Sequence, residues 1–220
     1  GNFFDGMVML STCDSIVPGH LMGAARINIP TILVTGGYMP LGQCRGKEVV
    51  HIHAQDKVGT AKAGKMDMEE YNELISKSWG ICGACTSMTT ANSMCMIAEA
   101  LGMTMPGNSS VSAVSSQLYL MAYQAGIQIV SLVAKDIRAR DIITVESLKN
   151  AIRMDMAVAA SSNLILHIPA IANEAGYDLP WWKYFDEASS QVPLLSHLAP
   201  SGPYSLKDFD LAGGMPAMLK

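Results

Sequence analysis

The sequence predicts an α/β fold, a three-layer α/β/α arrangement around a mostly parallel sheet. Two short apolar runs, "GMVMLST" at 6–12 and "TILVTGG" at 31–37, are each typical of a buried strand, and the amphipathic "GHLMGAARINI" between them predicts a helix. Strands that alternate with helices favour parallel pairing, with helices on both faces of the sheet. The composition agrees, because 50% of the 220 residues are apolar and only 15% are charged.

Helical spacing continues along the rest of the chain. It predicts further helices over 68–79, 89–103, 115–136, 144–160 and 161–178. Gly126 is a candidate kink or C-cap. Thr144 is a candidate N-cap, but a capping box calls for Glu or Gln three positions later, where this chain has Ser147. The polar, Gly-punctuated stretch 44–67 is predicted to be a mobile excursion from the core.

Composition also excludes whole classes of function. A net charge of −4 without a basic run gives no electrostatic footprint for nucleic acid. The uninterrupted apolar stretches are far shorter than the roughly 20 residues that cross a bilayer, so we expect no membrane span. The first residues lack the basic and apolar regions of a signal peptide. The chain has five cysteines, and this odd number argues against a framework of disulfides. We therefore expect a reducing compartment, the cytoplasm or, in a eukaryote, an organelle matrix.

The turn "STCDS" is the first candidate for chemistry. It places the thiol of Cys13 directly beside the carboxylate of Asp14, just after the first predicted strand. In parallel sheets, functional groups gather in the loops at the carboxyl ends of the strands. Both side chains are therefore predicted to lie at that edge.

A second cysteine pair, Cys82 and Cys85, forms a C-x-x-C at the mouth of the helix predicted over 89–103, where the helix N-terminus favours a thiolate. A structural zinc site usually needs two such pairs, and a thioredoxin-like pair needs a neighbouring βαβ unit. An iron–sulfur cluster needs thiolates from separate loops, and Cys13 and Cys85 could supply two of them. Spacing alone leaves these alternatives open, together with thiols that bind nothing.

Four blocks of sequence carry a resemblance: "NFFDGMVMLSTCDSIVPGHLMGAARINIPTILVTGGYM", "GACTSMTTANSMCMIAEALGMTMPGNSS", "NAIRMDMAVAASSNLILHIPAIANEAG" and "VPLLSHLAPSGPYSLKDFDLAGGMPAML". In this order, and from end to end of the chain, they resemble the dihydroxy-acid and phosphogluconate dehydratase family, which includes sugar-acid dehydratases. The resemblance implies that residues 1–220 are one domain, the N-terminal α/β/α domain of the family without its opening segment and its C-terminal β-barrel domain. It also implies that this portion alone is inactive.

The resemblance further implies an iron–sulfur cluster, 2Fe-2S or 4Fe-4S, held by three cysteines and leaving one iron open as a Lewis acid. Cys13 matches the family's Cys-Asp-Lys motif, Cys85 matches its Gly-x-Cys-x-Gly-Met motif, and the third ligand would lie upstream of Gly1. Asp14 matches a carboxylate that binds Mg²⁺. One turn would thus offer a soft sulfur to iron and a hard oxygen to magnesium.

The implied reaction is the dehydration of a 2,3-dihydroxy carboxylate or sugar acid to a 2-keto acid. The family's base is a serine of the C-terminal domain, so the catalytic base is not assigned to any residue of this chain. The implied partners are a small-molecule acid substrate and further copies in a homodimer or homotetramer, with neither nucleic acid nor membrane.

Two residues depart from the family pattern. Ser15 stands where the family has a lysine that is carbamylated and binds Mg²⁺, and Ser87 stands where it has the glycine before the motif Met. A hydroxyl is a weaker ligand and cannot form a carbamate, so the metal site is either retuned or lost. The alternatives are a catalytically impaired member that serves as a binding or assembly module, and a zinc or redox protein that uses Cys82 and Cys85.

Other candidates are weaker. The stretch 161–167, "SSNLILH", resembles a Ser-Thr-Asn-x-x-x-His block, but a helix cap followed by a buried histidine is the favoured interpretation. His51 and His53 suggest a metal pair with no third ligand, so a solvated loop is favoured there. Cys44 and Cys95 are predicted to be packing or surface thiols.

Overall fold

The computed structural model describes residues 4–220 and begins with the predicted strand–helix–strand unit. Strand β1 (Met7–Ser11) is followed by helix α1 (Ile16–Ile27) and strand β2 (Thr31–Thr35). The two strands are parallel, with Met7 opposite Thr31 and Ser11 opposite Thr35. This pairing confirms the α/β class.

The remaining elements are mostly helical. They are β3 (Gly42–Cys44), β4 (Lys47–Val49), α2 (His51–Lys62), α3 (Met68–Ser78), α4 (Thr90–Ala100), a 3₁₀ turn (Asn108–Ser110), α5 (Ser116–Ala134), α6 (Ala139–Ile142), α7 (Val145–Val158), α8 (Leu164–Ala175), α9 (Trp181–Gln191), α10 (Leu206–Leu211) and α11 (Gly214–Met218). The helices predicted from 68–79, 89–103, 115–136, 144–160 and 161–178 correspond to α3, α4, α5, α7 and α8.

Helices cover both faces of the small sheet. Leu33 of β2 packs into the main core together with residues of α1, α4, α7 and α8. Its neighbours Ile32 and Val34 point to the opposite face, where they pack against Ala125 and Leu132 of α5. The alternation of side chains along a strand thus produces three layers. A bridge from Leu33 to Thr104 adds a third parallel segment.

The stretch 44–67 differs from its prediction as a mobile excursion. Strands β3 and β4 form an antiparallel hairpin, and α2 follows and packs on α3. Cys44, Val49, Ala54 and Leu74 form a small separate core there. A few widely spaced apolar residues suffice to hold this unit, which is why the polar composition concealed it.

The two histidines of this stretch begin α2, so the solvated-loop interpretation is wrong. His51 is buried and stacks on Trp79 with ring centroids 4.9 Å apart. His53 Nδ1 accepts a hydrogen bond from the Val50 N–H at 3.2 Å. Two positions apart on a helix, the imidazoles project in nearly opposite directions, so they form no metal pair.

Two predictions about helix ends also change. Helix α5 runs unbroken through Gly126, which is therefore not a C-cap. Thr144 does begin α7 with a reciprocal cap: its Oγ1 accepts from the Ser147 N–H at 3.2 Å, and Ser147 Oγ accepts from the Thr144 N–H at 2.9 Å. A serine at the third helical position here makes the contact that Glu or Gln makes in the usual capping box.

Helix α5 carries no charged residue over its 19 positions, and its mean hydropathy of 1.2 makes it long and apolar enough to cross a membrane by length and composition. The sequence analysis expected no membrane span because it considered only uninterrupted apolar runs, and Gln and Ser interrupt the apolar residues of this helix. A helix of a folded layer passes the same test. One face of α5 packs on β1 and β2, whereas Tyr119, Tyr123 and Val130 on its outer face are exposed.

Two acidic side chains are buried among the helices. Burial raises the pKa of Glu99, and hydrogen bonds from the N–H of Gly107 at 2.6 Å and from Ser109 partly offset that rise. Glu99 thereby holds the 3₁₀ turn against α4. Asp155 of α7 is 5% exposed, and burial raises its pKa to about 7.

Asp155 generates a prediction about stability. Below about pH 3 its carboxyl is mostly neutral in both the folded and the unfolded chain, so almost no penalty exists there. As the pH rises towards 7 the unfolded chain ionises first, and stability on the order of 4 kcal/mol is lost. Asp155→Asn should raise the free energy of unfolding at pH 7.5, measured by urea titration, and have little effect near pH 4. A difference that does not vary with pH would contradict this account.

Candidate functional site

The turn after β1 has an unusual backbone. Cys13 and Asp14 both lie in the left-handed region, with φ of 70° and 34°. Neither is a glycine, so each residue is strained, and strain of this kind concentrates at functional sites. The Ile16 N–H donates to the Cys13 carbonyl at 3.2 Å and closes the turn. Asp14 and Ser15 are exposed, and Cys13 is half-buried.

The segment that contains Cys82 and Cys85 reaches the same edge of the sheet. It pairs with residues 37–39, which extend β2. The Ala84 N–H donates to the Gly37 carbonyl at 2.8 Å, and the Met39 N–H donates to the Ala84 carbonyl at 2.7 Å. Earlier in the same extension, the Gly36 N–H donates to the Ser11 carbonyl at the end of β1. Residue 85 is thereby carried to the place where β1 ends.

The structure brings the thiols of Cys13 and Cys85 together. Burial raises the pKa of Cys13, and the neighbouring Cys85, through its charge and a thiol–thiol hydrogen bond, raises it further, as does the charge of Asp14. Cys82, by contrast, is exposed. All five cysteines are free, so neither the pair at 82 and 85 nor the pair at 13 and 85 is a disulfide.

Cys95 also lies near this centre, which the sequence did not indicate. It is 2% exposed on α4, and its pKa is raised to about 12 by burial and by the charge of Cys13. It is a packing thiol behind the site, as predicted, and Cys44 is buried in the hairpin unit. No pattern in the sequence linked position 95 to position 13.

Asn92, in the first turn of α4, fixes the loop that carries Cys85. Its Nδ2 donates to the carbonyls of both Cys85 and Ser87, the second at 2.9 Å. Thr86, between them, is buried with its hydroxyl 3.4 Å from His51 Nδ1. The Ser87 hydroxyl is buried and finds no hydrogen-bond partner in residues 4–220. Sequence reasoning did not single out Asn92.

The stretch "SSNLILH" ties α8 to the start of α4. Asn163 Nδ2 donates to Thr90 Oγ1 at 2.8 Å, and Thr90 Oγ1 lies 3.0 Å from Ser161 Oγ. The Ser161 N–H donates to Ser93 Oγ at 3.0 Å. The helix-cap interpretation is wrong for the Asn163 side chain, which bonds to α4 and not to its own helix. His167 is half-buried, not buried.

These residues fit part of a metal centre. Residues 4–220 contain no group of three or more His, Cys, Asp or Glu side chains placed to hold a metal ion. Two soft sulfurs, from Cys13 and Cys85, and one hard oxygen donor, from Asp14, do meet at one edge. This donor set suits two ligands of an iron–sulfur cluster whose remaining ligand comes from elsewhere, with a carboxylate free for a hard cation.

Comparison with known proteins identifies the family. The sequence profile described as "Dihydroxy-acid/6-phosphogluconate dehydratase N-terminal" matches residues 1–220. The chain belongs to the dihydroxy-acid/6-phosphogluconate dehydratase family. Relatives in this dehydratase family include proteins named dihydroxy-acid dehydratase from Maridesulfovibrio salexigens, 45% identical over 98% of this chain, and from Acetivibrio thermocellus, 46% identical over 99%. The chain spans 39% of the length of each of these dehydratases.

Gly83 lies next to the backbone pairing that positions Cys85, and we expect that it cannot be replaced by a residue with a side chain. This residue has φ of 120°, and a Cβ there would lie 2.7 Å from the Met39 backbone nitrogen and 2.8 Å from the Ala113 Cβ. Gly83→Ala should lower the free energy of unfolding, measured by urea titration, by about 2 kcal/mol or more.

Gly59→Ala is the matched control for this substitution. It lies within α2 with no neighbouring atom outside the helix backbone within 4 Å of the new Cβ, so it should raise the free energy of unfolding by about 0.5–1 kcal/mol. Equal effects of the two substitutions would refute the role given to Gly83.

Proposed function

We propose that the complete protein is a hydro-lyase that converts a dihydroxy acid or sugar acid to a 2-keto acid. The observation that carries this proposal is the meeting of the Cys13 and Cys85 thiols beside the Asp14 carboxylate at the carboxyl edge of the sheet. The names of the relatives support the same reaction class.

We infer two cofactors from the donor set. Cys13 and Cys85 would be two of the ligands of an iron–sulfur cluster, and Asp14 would bind Mg²⁺, because soft thiolates select iron clusters and hard carboxylates select magnesium. When bound, these groups supply a Lewis acid for the leaving hydroxyl and a clamp for the substrate carboxylate and its neighbouring hydroxyl.

The chain's own residues hold this arrangement in place. The left-handed pair at Cys13 and Asp14 presents a sulfur and an oxygen donor from one short turn. Asn92 fixes the loop of Cys85 from the other side, and buried Cys95 helps to exclude water behind the two thiols. Asp14 remains exposed, so a substrate carboxylate can reach a cation bound there.

Ser15 bears on whether the site is active. It precedes α1 without making a side-chain cap, and it is exposed. We propose that its short hydroxyl leaves room for a water molecule on the magnesium, so that the site is retuned and remains active. Mg²⁺ often retains several waters in protein sites, which makes this replacement chemically reasonable.

The cofactor assignment predicts a pattern of cysteine substitutions. The complete gene product, purified without oxygen, should be brown and contain iron and sulfide. Cys13→Ser and Cys85→Ser should each lose most of the iron, and Cys82→Ser, the matched control at an exposed thiol, should keep it. Elemental analysis and formation of 2-keto acid from a panel of aldonic and branched dihydroxy acids provide the measurements.

The same experiment separates the alternatives. Zinc instead of iron, or loss of metal in Cys82→Ser, would favour a zinc or redox C-x-x-C protein. A colourless protein without activity would favour an impaired member that serves as a binding or assembly module.

Ser15→Lys tests the retuned site. If water completes the magnesium shell, the longer side chain displaces it, and turnover should fall roughly tenfold or more with weaker Mg²⁺ dependence. The measurement is the rate of 2-keto acid formation as a function of Mg²⁺ concentration. A large gain in turnover would contradict the proposal and mark Ser15 as a lesion.

A further inference from the structure

The hydroxyl of Ser87 is a buried polar group whose partner is missing from residues 4–220. The residue is 1% exposed, and its Oγ makes no hydrogen bond in the part of the chain that the structure describes. A buried hydroxyl without a partner destabilises the folded state, because it loses its hydrogen bonds to water and gains none in return. Such a group therefore calls for an acceptor from outside these residues.

The position of Ser87 indicates where that acceptor lies. It follows Cys85 by two positions, so their Cα atoms are within about 7 Å of each other. The Asn92 amide donates to the carbonyls of both residues and holds this part of the loop in one conformation. The hydroxyl is thus fixed close to the cysteine that we assign to the cluster.

Several polar groups next to the Ser87 hydroxyl make hydrogen bonds elsewhere. Thr86, between the two residues, lies against His51 Nδ1, and the Ser87 carbonyl accepts from Asn92 Nδ2 and from the Thr89 N–H. A sulfur at the Cys85 centre, two positions away in the chain, is an acceptor of suitable chemistry close to this hydroxyl.

We propose that the Ser87 hydroxyl donates a hydrogen bond to a sulfur of the iron–sulfur cluster at Cys85 and thereby tunes the cluster. This inference rests on the proposed function, which supplies the cluster. Hydrogen bonds to cluster sulfurs stabilise the more electron-rich, reduced state and raise the reduction potential. Ser87 stands where the dehydratase pattern has glycine, so the effect is a property of this chain and acts as positioning and tuning, not as catalysis.

The test compares Ser87→Ala and Ser87→Gly with Ser78→Ala in the complete gene product. Ser78 is equally buried, but its hydroxyl donates to the Leu74 carbonyl at 2.6 Å on α3, a helix packed on the hairpin unit. The measurements are the thermal midpoint of the cluster-free protein, the reduction potential of the anaerobically reconstituted protein, and the rate of cluster release to a chelator. Glycine provides a second variant in case alanine disturbs the loop.

Opposite effects in the two forms of the protein would identify the bond. Without the cluster, Ser87→Ala should leave the thermal midpoint unchanged or raise it, whereas Ser78→Ala should lower it. With the cluster, Ser87→Ala should make the reduction potential more negative and speed cluster release roughly three- to tenfold. Ser78→Ala should change neither cluster property.

The failures are distinguishable. A wild-type protein that takes up no cluster would refute the proposed function, and this inference with it. A loaded protein whose potential and release rate do not change in either Ser87 variant would refute the inference alone. A cluster-free Ser87→Ala protein that is destabilised as much as Ser78→Ala would show that the hydroxyl has a protein partner, and would overturn the proposal as well.

Discussion

The backbone pairing of Ala84 with the extension of β2 is the constraint on which the site depends. Two hydrogen bonds, to the Gly37 carbonyl and from the Met39 N–H, carry a segment about 70 residues beyond β1 to the edge where β1 ends. Gly83 makes this approach feasible, because any side chain there would meet the Met39 backbone. Without that pairing, Cys85 would be one half of an ordinary C-x-x-C. With it, Cys85 becomes the neighbour of Cys13.

The turn at residues 13 and 14 supplies the other half of the arrangement at an energetic cost. Two successive non-glycine residues in the left-handed region are strained, and the rest of the domain must hold them there. Helix α1 begins directly afterwards, and its buried side chains in the main core anchor the turn. The three-layer scaffold therefore supports a short strained segment that presents two chemically different donors.

Sequence patterns were sufficient for the scaffold and insufficient for some of its connections. Strong apolar periodicity located β1, β2, α4 and α7 to within a few residues. The hairpin at 42–49 and α2 were not predicted, because three-residue strands and a mostly polar helix leave almost no periodic signal in the sequence. The capping box of α7 was not predicted, because the Ser147 hydroxyl accepts the hydrogen bond that a Glu carboxylate accepts in the usual capping box.

At the site, the features that the sequence predicts are those made by residues close together in the chain, and the features it does not predict depend on long-range packing. The adjacency of Cys13 and Asp14 is local and visible in the sequence, and the family resemblance singled out Cys85. The positions of Cys95 and Asn92 depend on how α4 packs beneath the sheet edge, which no local pattern encodes. The unpartnered hydroxyl of Ser87 is a property of three-dimensional burial, and the sequence marked that position only as a departure from the family.

The most direct test of the central claim is whether one bidentate thiol reagent bridges Cys13 and Cys85 in the cluster-free protein. Phenylarsine oxide binds two thiols that lie close together, and a Cys82→Ser background removes the competing neighbour. Mass spectrometry of the digested adduct should find one arsenic linking the peptides that contain Cys13 and Cys85. Failure to find that link, with both thiols modified separately by a monofunctional reagent, would contradict the account.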